Sequence, residues 1–306
     1  MTETNIGRSL GVPSGSQGFK GEPYQFCVSS PHFRPHIVAS SPLPADHERA
    51  SEAADDMAAT QEGHYWSTAS VQHAYSLARR VTMVPFENAK FVYRSLHELA
   101  EVPGAIVEVG VWKGGMAMLM ALAELRTVND TQRSVHRQVW LFDTFQGLPP
   151  PTSEDPARVH RIYASIAAGN MSDPELRERV HRGLVQDGKW NLGTQEEVEH
   201  TMRRSGYPAS HVHLVKGRVE TTLRDAANLP AKIALLRLDT DWYASTVAEL
   251  DVLWPRVSPG GLMIVDDYFQ WSGARRAVDE WIRREKITTA VLNDHERGVH
   301  VWKPRW

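Results

Sequence analysis

Apolar residues fall into two rhythms along this chain. Short continuous apolar runs alternate with longer stretches in which apolar residues recur every three or four positions. The runs at 105–109, 139–143, 212–215, 233–238 and 262–266 predict buried parallel strands, because a strand covered on both faces has no polar side to present. Helical spacing marks 86–100, where Phe86, Ala89, Val92, Tyr93, Leu96 and Leu99 share a stripe. It also marks 114–125, 245–254 and 272–284, the last with Ala274, Val278 and Trp281 on one side. A helix at 194–204 opens on Thr194-Gln195-Glu196-Glu197, a capping-box pattern. A short helix is expected at 218–227, and 287–292 with 299–302 predict a closing antiparallel pair. Strands alternating with helices argue for an α/β fold: a doubly wound, mostly parallel sheet of seven strands.

Two segments break the rhythm. Residues 1–64 are rich in Ser, Pro and His without sustained periodicity, which predicts an N-terminal arm outside the globular unit at 65–306. Residues 145–192 are longer than an ordinary connection and carry Pro149-Pro150-Pro151. They are expected to be irregular and to act as a lid, a usual use of long loops. Arg158, His160, Arg161, Tyr163 and Trp190 would contact an acceptor, and Gly147 and Gly169 would let the segment move.

The strand ends carry the chemistry. Leu236-Arg237-Leu238-Asp239-Thr240-Asp241-Trp242-Tyr243 and Gly261-Leu262-Met263-Ile264-Val265-Asp266-Asp267 are apolar runs closing on carboxylates. Ligands of open α/β sheets sit beyond the carboxyl ends of the strands. Asp239, Asp266 and Asp267 would therefore crowd one point, and a hard divalent cation such as Mg²⁺ is the usual resolution. The first strand runs into Glu108-Val109-Gly110-Val111-Trp112-Lys113-Gly114-Gly115. Its glycines admit a ligand close to the backbone, but the spacing is not the pyrophosphate-binding Gly-x-Gly-x-x-Gly. That disfavours a nicotinamide-dependent dehydrogenase and favours a nucleoside without pyrophosphate, with S-adenosylmethionine (SAM) the leading candidate. Asp143, ending the second strand, suits ribose hydroxyls.

Charge and composition narrow the partners. A net charge of −3 gives no bulk attraction to nucleic acid or anionic membrane. The apolar stretch 115–125 is too short to span a bilayer. A single cysteine, Cys27, permits no internal disulfide and fits a reducing cytoplasm. No signal peptide is expected at the N-terminus. His211 and His213 share one side of a strand but begin it, away from the crevice, and are read as structural. His295 is read as a solvated loop residue.

These motifs resemble the macrocin O-methyltransferase family. The similarity runs from about Thr82 to Trp302 through 108–115, 142–149, 236–246 and 258–268, with Gly273 to Asp279 also fitting. The resemblance implies a class I SAM-methyltransferase Rossmann-like fold and SAM- and Mg²⁺-dependent methylation of a sugar hydroxyl on a glycosylated natural product. It implies Asp239, Asp266 and Asp267 as metal ligands, with Asp239 also the general base. SAM would be held by 108–115 (Glu108, Gly110, Trp112, Gly114, Gly115), by Asp143 and by Thr82-Met83. The segment Gly217, Arg218 and Thr221 would lie beside the adenine. A homo-oligomer is a further implication.

Several roles stay open. Asp241 is the alternative base, or else the cap of the following helix. Arg237, inside an apolar strand, needs a buried acidic partner, so a structural ion pair is expected. Trp242 and Tyr243 either wall the acceptor pocket or pack in the core; Tyr268 and Trp271 are the better pocket candidates. The acceptor hydroxyl could instead belong to a catechol-like phenol or a polyketide. A non-catalytic SAM- or sugar-binding protein is a further alternative, one that has no need of three acids.

Overall fold

A computed structural model describes residues 67–170, 172, 174–293 and 298–305. The expected arm at 1–64, with Cys27, and His295 lie outside the described residues.

Seven strands form one sheet. They are β1 (Ala105–Val109), β2 (Val139–Asp143), β5 (Val212–Lys216), β6 (Ile233–Leu238), β7 (Val257–Val265), β8 (Ala290–Asn293) and β9 (Gly298–Trp302). Their order is β5-β2-β1-β6-β7-β9-β8. The first five are parallel, whereas β9 runs antiparallel to both β7 and β8. Both the parallel set and the closing antiparallel pair follow the apolar pattern.

The helices cover both faces. On one side α1 (Thr68–Ala78), α2 (Phe86–Glu98), α3 (Gly115–Thr131) and α6 (Gln195–Ser205) pack together. On the other, α7 (Val219–Thr222), α8 (Tyr243–Leu253) and α9 (Ser272–Glu285) do. Alternate strand residues feed the two cores: Ile106, Leu141, Leu235 and Ile264 face one, and Val107, Phe142, Leu236 and Met263 the other. Each such side chain contributes about 1.5–3 kcal/mol on burial. This two-sided burial is why the strands read as unbroken apolar runs. The capping box at α6 is formed as expected, with Thr194 accepting the Glu197 amide and Glu197 accepting the Thr194 amide.

Other boundaries differ from expectation. Helix α3 continues to Thr131 because Thr127 and Val128 still bury. Strand β7 begins at Val257, five residues before the expected start, running through Pro259 and two glycines. Helix α7 is a single turn followed by a 3₁₀ turn at Ala226–Asn228. The segment 145–192 is not irregular. It holds α4 (Ala157–Ala167), α5 (Pro174–His181) and a hairpin of β3 (Val185–Gln186) and β4 (Lys189–Trp190). Val159, Ile162 and Ile166 form the buried stripe of α4, a helical signal masked by the prolines before it. These residues, with Leu176 and Trp190, pack on Trp242, Trp271 and Ala274 as a third apolar cluster. Among the described residues no helix is long and apolar enough to cross a membrane.

Candidate active site

The sheet turns outward in two directions from β1, which has β2 on one side and β6 on the other. Such a switch point opens a crevice beyond the carboxyl ends of these strands. Gly110 lies there at φ +84°, and a Cβ on it would stand 1.9 Å from the Asp239 carbonyl oxygen. Only glycine lets the ends of β1 and β6 approach this closely.

Asp143 pins the loop that follows. Its Oδ2 accepts the amides of Val111 (2.7 Å) and Trp112 (3.0 Å), and its Oδ1 accepts the Phe145 amide (2.8 Å). Burial raises its pKa and these amides oppose the rise. The carboxylate expected to meet ribose is therefore already the anchor of the β1–α3 turn. It still lines the cleft, with acceptor capacity beyond three bonds.

The acids meet because β6 and β7 are neighbours in register. Leu238 pairs with Val265, so the next residues, Asp239 and Asp266, emerge side by side. Asp266 and Asp267 open a 3₁₀ turn, Asp266–Phe269. Ligand oxygens of Asp239, Asp266 and Asp267 lie within 4.8 Å of one another.

Arg237 sits beneath them, 1% exposed. It reaches Glu108 Oε1 at 2.8 Å, Asp239 Oδ2 at 2.7 Å and Asp266 Oδ1 at 3.1 Å. Burial opposes its charge, but Asp239, Asp266 and Glu108 outweigh burial and hold it protonated. The expected ion pair is thus present, and its partners are the candidate site acids themselves.

One guanidinium does not neutralise this set. Burial, then neighbouring charge, pushes Glu108 up to about 8 even beside Arg237. Burial and the charges of Asp241, Asp239 and Asp266 raise Asp267 well above the carboxylate range. Asp241 is pushed up to about 8, by burial first and Asp239 second. An oxygen-only donor set short of positive charge fits a hard divalent cation.

Asp241 adopts φ +69° and its amide donates to Asp267 Oδ2 at 2.8 Å. It does not cap α8; the residue in that place is Trp242, without a side-chain cap bond. Between the acids, the Thr240 hydroxyl is 2.7 Å from Glu249 Oε1 and donates to it. Burial pushes Glu249 well above its usual range. Nothing in the apolar pattern of α8 singled Glu249 out.

Around the acids lies a cleft of about 380 Å³. Thr82, Met83, Glu108, Gly110, Trp112 and Gly115 form one wall. Asp143, Gly217 and Arg218 continue it. Gly114 is not on that wall: it faces Thr201 and Val198 of α6. Thr221 is exposed one residue past Glu220, which takes its place on the wall. Arg218 ion-pairs with Glu220 at 2.9 Å.

Of the expected acceptor residues, Trp271 and Trp190 line this cleft, whereas Arg158, His160, Arg161 and Tyr163 do not. Trp242 is 2% exposed and buried in a triad with Trp190 and Trp271, ring centroids 5.6 to 5.9 Å apart. Tyr243 points to α9, donating to Glu280 at 2.7 Å. Tyr268 likewise donates to Asp279 at 2.7 Å. Both tyrosines find their partner on the helix face behind the site. The far wall is built by the 145–192 segment, with Glu178, Arg179, Arg182, Trp190 and Asn191. Arg179 lies over the Trp190 ring, 4.6 Å from its centroid. Trp190 was expected in the lid; Arg179 and Asn191 carried no sequence signal.

At the foot of the sheet, His213 hydrogen-bonds Gln138 at 2.6 Å and stacks on Trp140. It is structural, as expected.

The sequence model of the family described as Macrocin-O-methyltransferase (TylF) matches residues 44–182 and 189–303. A Streptomyces olivaceus protein, 8-demethyl-8-(2,3-dimethoxy-alpha-L-rhamnosyl)-tetracenomycin-C 4'-O-methyltransferase, is 34% identical over 198 residues, 65% of each chain. The match thus spans just under two thirds of that relative's length. Mycinamicin III 3''-O-methyltransferase of Micromonospora griseorubida is 31% identical over 202 residues, covering 66% of this chain and 69% of the relative. Among solved structures, the O-methyltransferase NovP superposes with a TM-score of 0.58 at 27% identity, over 74% of this chain and 83% of that one.

Proposed function

Since the chain belongs to the Macrocin-O-methyltransferase (TylF) family, we propose that it moves the methyl group of SAM to a sugar hydroxyl of a glycosylated natural product, with Mg²⁺ as the cation. The observation that carries this reading is the cluster of Asp239, Asp266 and Asp267 within 4.8 Å, opening on a cleft walled by the β1–α3 turn. The catalytic unit is read as 65–306, with 145–192 as its lid. A homo-oligomer, from the family resemblance, in the reducing cytoplasm that a single cysteine fits completes the proposal.

SAM would lie along Glu108 to Gly115 and Asp143, with Thr82-Met83 and the 217–220 segment at its two ends. Asp239, Asp266 and Asp267 would hold the cation. When bound, Mg²⁺ supplies Lewis acidity that lowers the pKa of an acceptor hydroxyl. The residues of the chain do the rest. The lid wall of Trp190, Arg179 and Asn191 confines the acceptor, and its closure excludes water. Arg237 fixes the Asp239 and Asp266 carboxylates from below. The oxygen–methyl bond forms as the sulfur–methyl bond breaks, leaving S-adenosylhomocysteine. The hydroxyl proton passes to Asp239 or, as the alternative, to Asp241, which lies outside the three-acid set.

The test is S-adenosylhomocysteine release by the purified protein, with Mg²⁺ or EDTA, across matched glycosides, aglycones and catechols. Turnover on glycosides alone, abolished by EDTA, is the expected result. Equal turnover on aglycones or catechols would move the acceptor to a phenolic or polyketide hydroxyl, and turnover in EDTA would remove the metal.

A further inference from the structure

Asp155 belongs to the 145–192 segment yet is not among the residues that line the cleft. It stands immediately before Pro156, the residue at the start of α4, and is only 5% exposed. Its Oδ2 accepts the amide (2.8 Å) and hydroxyl (3.0 Å) of Thr152. Its Oδ1 accepts the amide of Tyr243 at 2.9 Å, the first residue of α8. The same oxygen abuts α9, where a Cβ on Gly273 would lie 2.1 Å away.

One buried carboxylate thus stands at the N-terminal ends of two helices at once. Those helices, α8 and α9, follow the two strands that carry the site acids. Neither has a side-chain cap of its own. A helix N-terminus presents unpaired amides and partial positive charge, which a carboxylate answers. Next to it the Trp242 indole donates to the Pro149 carbonyl at 2.9 Å. Residues 149–155 therefore grip Trp242 and Tyr243 directly beyond Asp241, whose amide bonds Asp267.

We infer that Asp155 is a positioning residue, setting the Asp239–Asp241 loop against the Asp266–Asp267 turn and coupling the seating of the lid to the assembly of the three-carboxylate set. This role rests on the cation site proposed above. Gly273 is its counterpart, kept without a Cβ so that the carboxylate can reach both helices.

The experiment titrates the full chain with Mn²⁺, followed by electron paramagnetic resonance, without SAM or acceptor. Amide exchange at Tyr243 and α4 is measured on the same samples. Asp155→Ala is expected to weaken Mn²⁺ binding by about tenfold or more, the size usual for lost outer partners of metal ligands. Exchange at Tyr243 and α4 should rise together with it. Asp155→Asn should recover part of both, since its amide oxygen can still accept from Tyr243. Gly273→Ala, which displaces the carboxylate without removing it, should move both readouts in the same direction, and it stands in if Asp155→Ala does not fold. SAM affinity should not change. Wild-type Mn²⁺ affinity in folded Asp155→Ala or Gly273→Ala, even with a loosened α4, overturns the role. Absence of Mn²⁺ binding by the wild type would instead sink the cation site itself, and this role with it.

Discussion

Arg237 and Glu108 face each other in register on adjacent strands, β6 and β1, and bond at 2.8 Å. Each is 1% exposed. The same guanidinium continues to Asp239 and Asp266, so a single cation joins the strand of the expected cofactor turn to both acid-bearing strands.

Replacing Arg237 by Met should strip three acids of their shared partner. Breaking a buried pair from one side costs about 3–5 kcal/mol. A fall of that order in urea-unfolding free energy is expected. Added Mg²⁺ should restore part of it by binding the folded state alone. A loss below about 1 kcal/mol, the scale of exposed pairs, would show that the buried acids are already neutral and need no cation. Arg237→Lys should recover little, because one ammonium cannot span the fork that a guanidinium fills.

Substitutions at the carboxylates separate holding the metal from taking the proton. Asp267→Asn should raise the Mg²⁺ concentration needed for half-maximal turnover by about tenfold or more. Asp239→Asn should lose most turnover even at saturating Mg²⁺, by about 10²–10⁴-fold if it is the base. If Asp239→Asn keeps most activity while Asp241→Asn loses it, the proton goes to Asp241. S-adenosylhomocysteine release across a Mg²⁺ series measures all three.

The lid should come loose when its aromatic anchor is cut. Trp190 is 2% exposed and packs edge-on to Trp242 and Trp271. Trp190→Ala should cost about 3–5 kcal/mol in stability and open 157–190 to protease before the sheet unfolds. Cleavage of that segment no faster than in the wild type would show that α4 and α5 are held by other contacts.

Much of this was legible in the sequence, for definable reasons. Two-sided burial leaves an unbroken apolar run, so β1, β2 and β6 were expected at the bounds observed. Strand ends carry their chemistry as local sequence, so Asp239, Asp266 and Asp267 stood out before their proximity was known. Helix α4 was not legible because the proline run before it outweighed a three-residue stripe. Tyr243 and Tyr268 were misplaced for another reason. Nearness along the chain to an acid does not fix which side of a helix an aromatic leaves from, and both turn to α9. Arg237 shows the intermediate case. Its need for an acid followed from burial, but that three acids share it depends on strand register.

Acid should weaken the fold through His300. This residue, 5% exposed in β9, stacks on Phe91 of α2 with ring centroids 4.0 Å apart. Burial lowers its pKa from the usual 6.5 to about 4. The unfolded chain then binds a proton near pH 6.5 that the folded chain refuses until near pH 4. Stability from this group is complete above pH 6.5 and is lost as the pH falls toward 4, by about 3 kcal/mol for a shift of this size. Other carboxylates titrate in the same range, so the measurement is a difference. Urea unfolding of wild type and His300→Phe between pH 7 and pH 4, about the span over which histidine changes charge, should show a shallower decline in the variant. Parallel declines would mean that His300 is protonated in the folded state at its ordinary pH, with β9 opening to admit the charge.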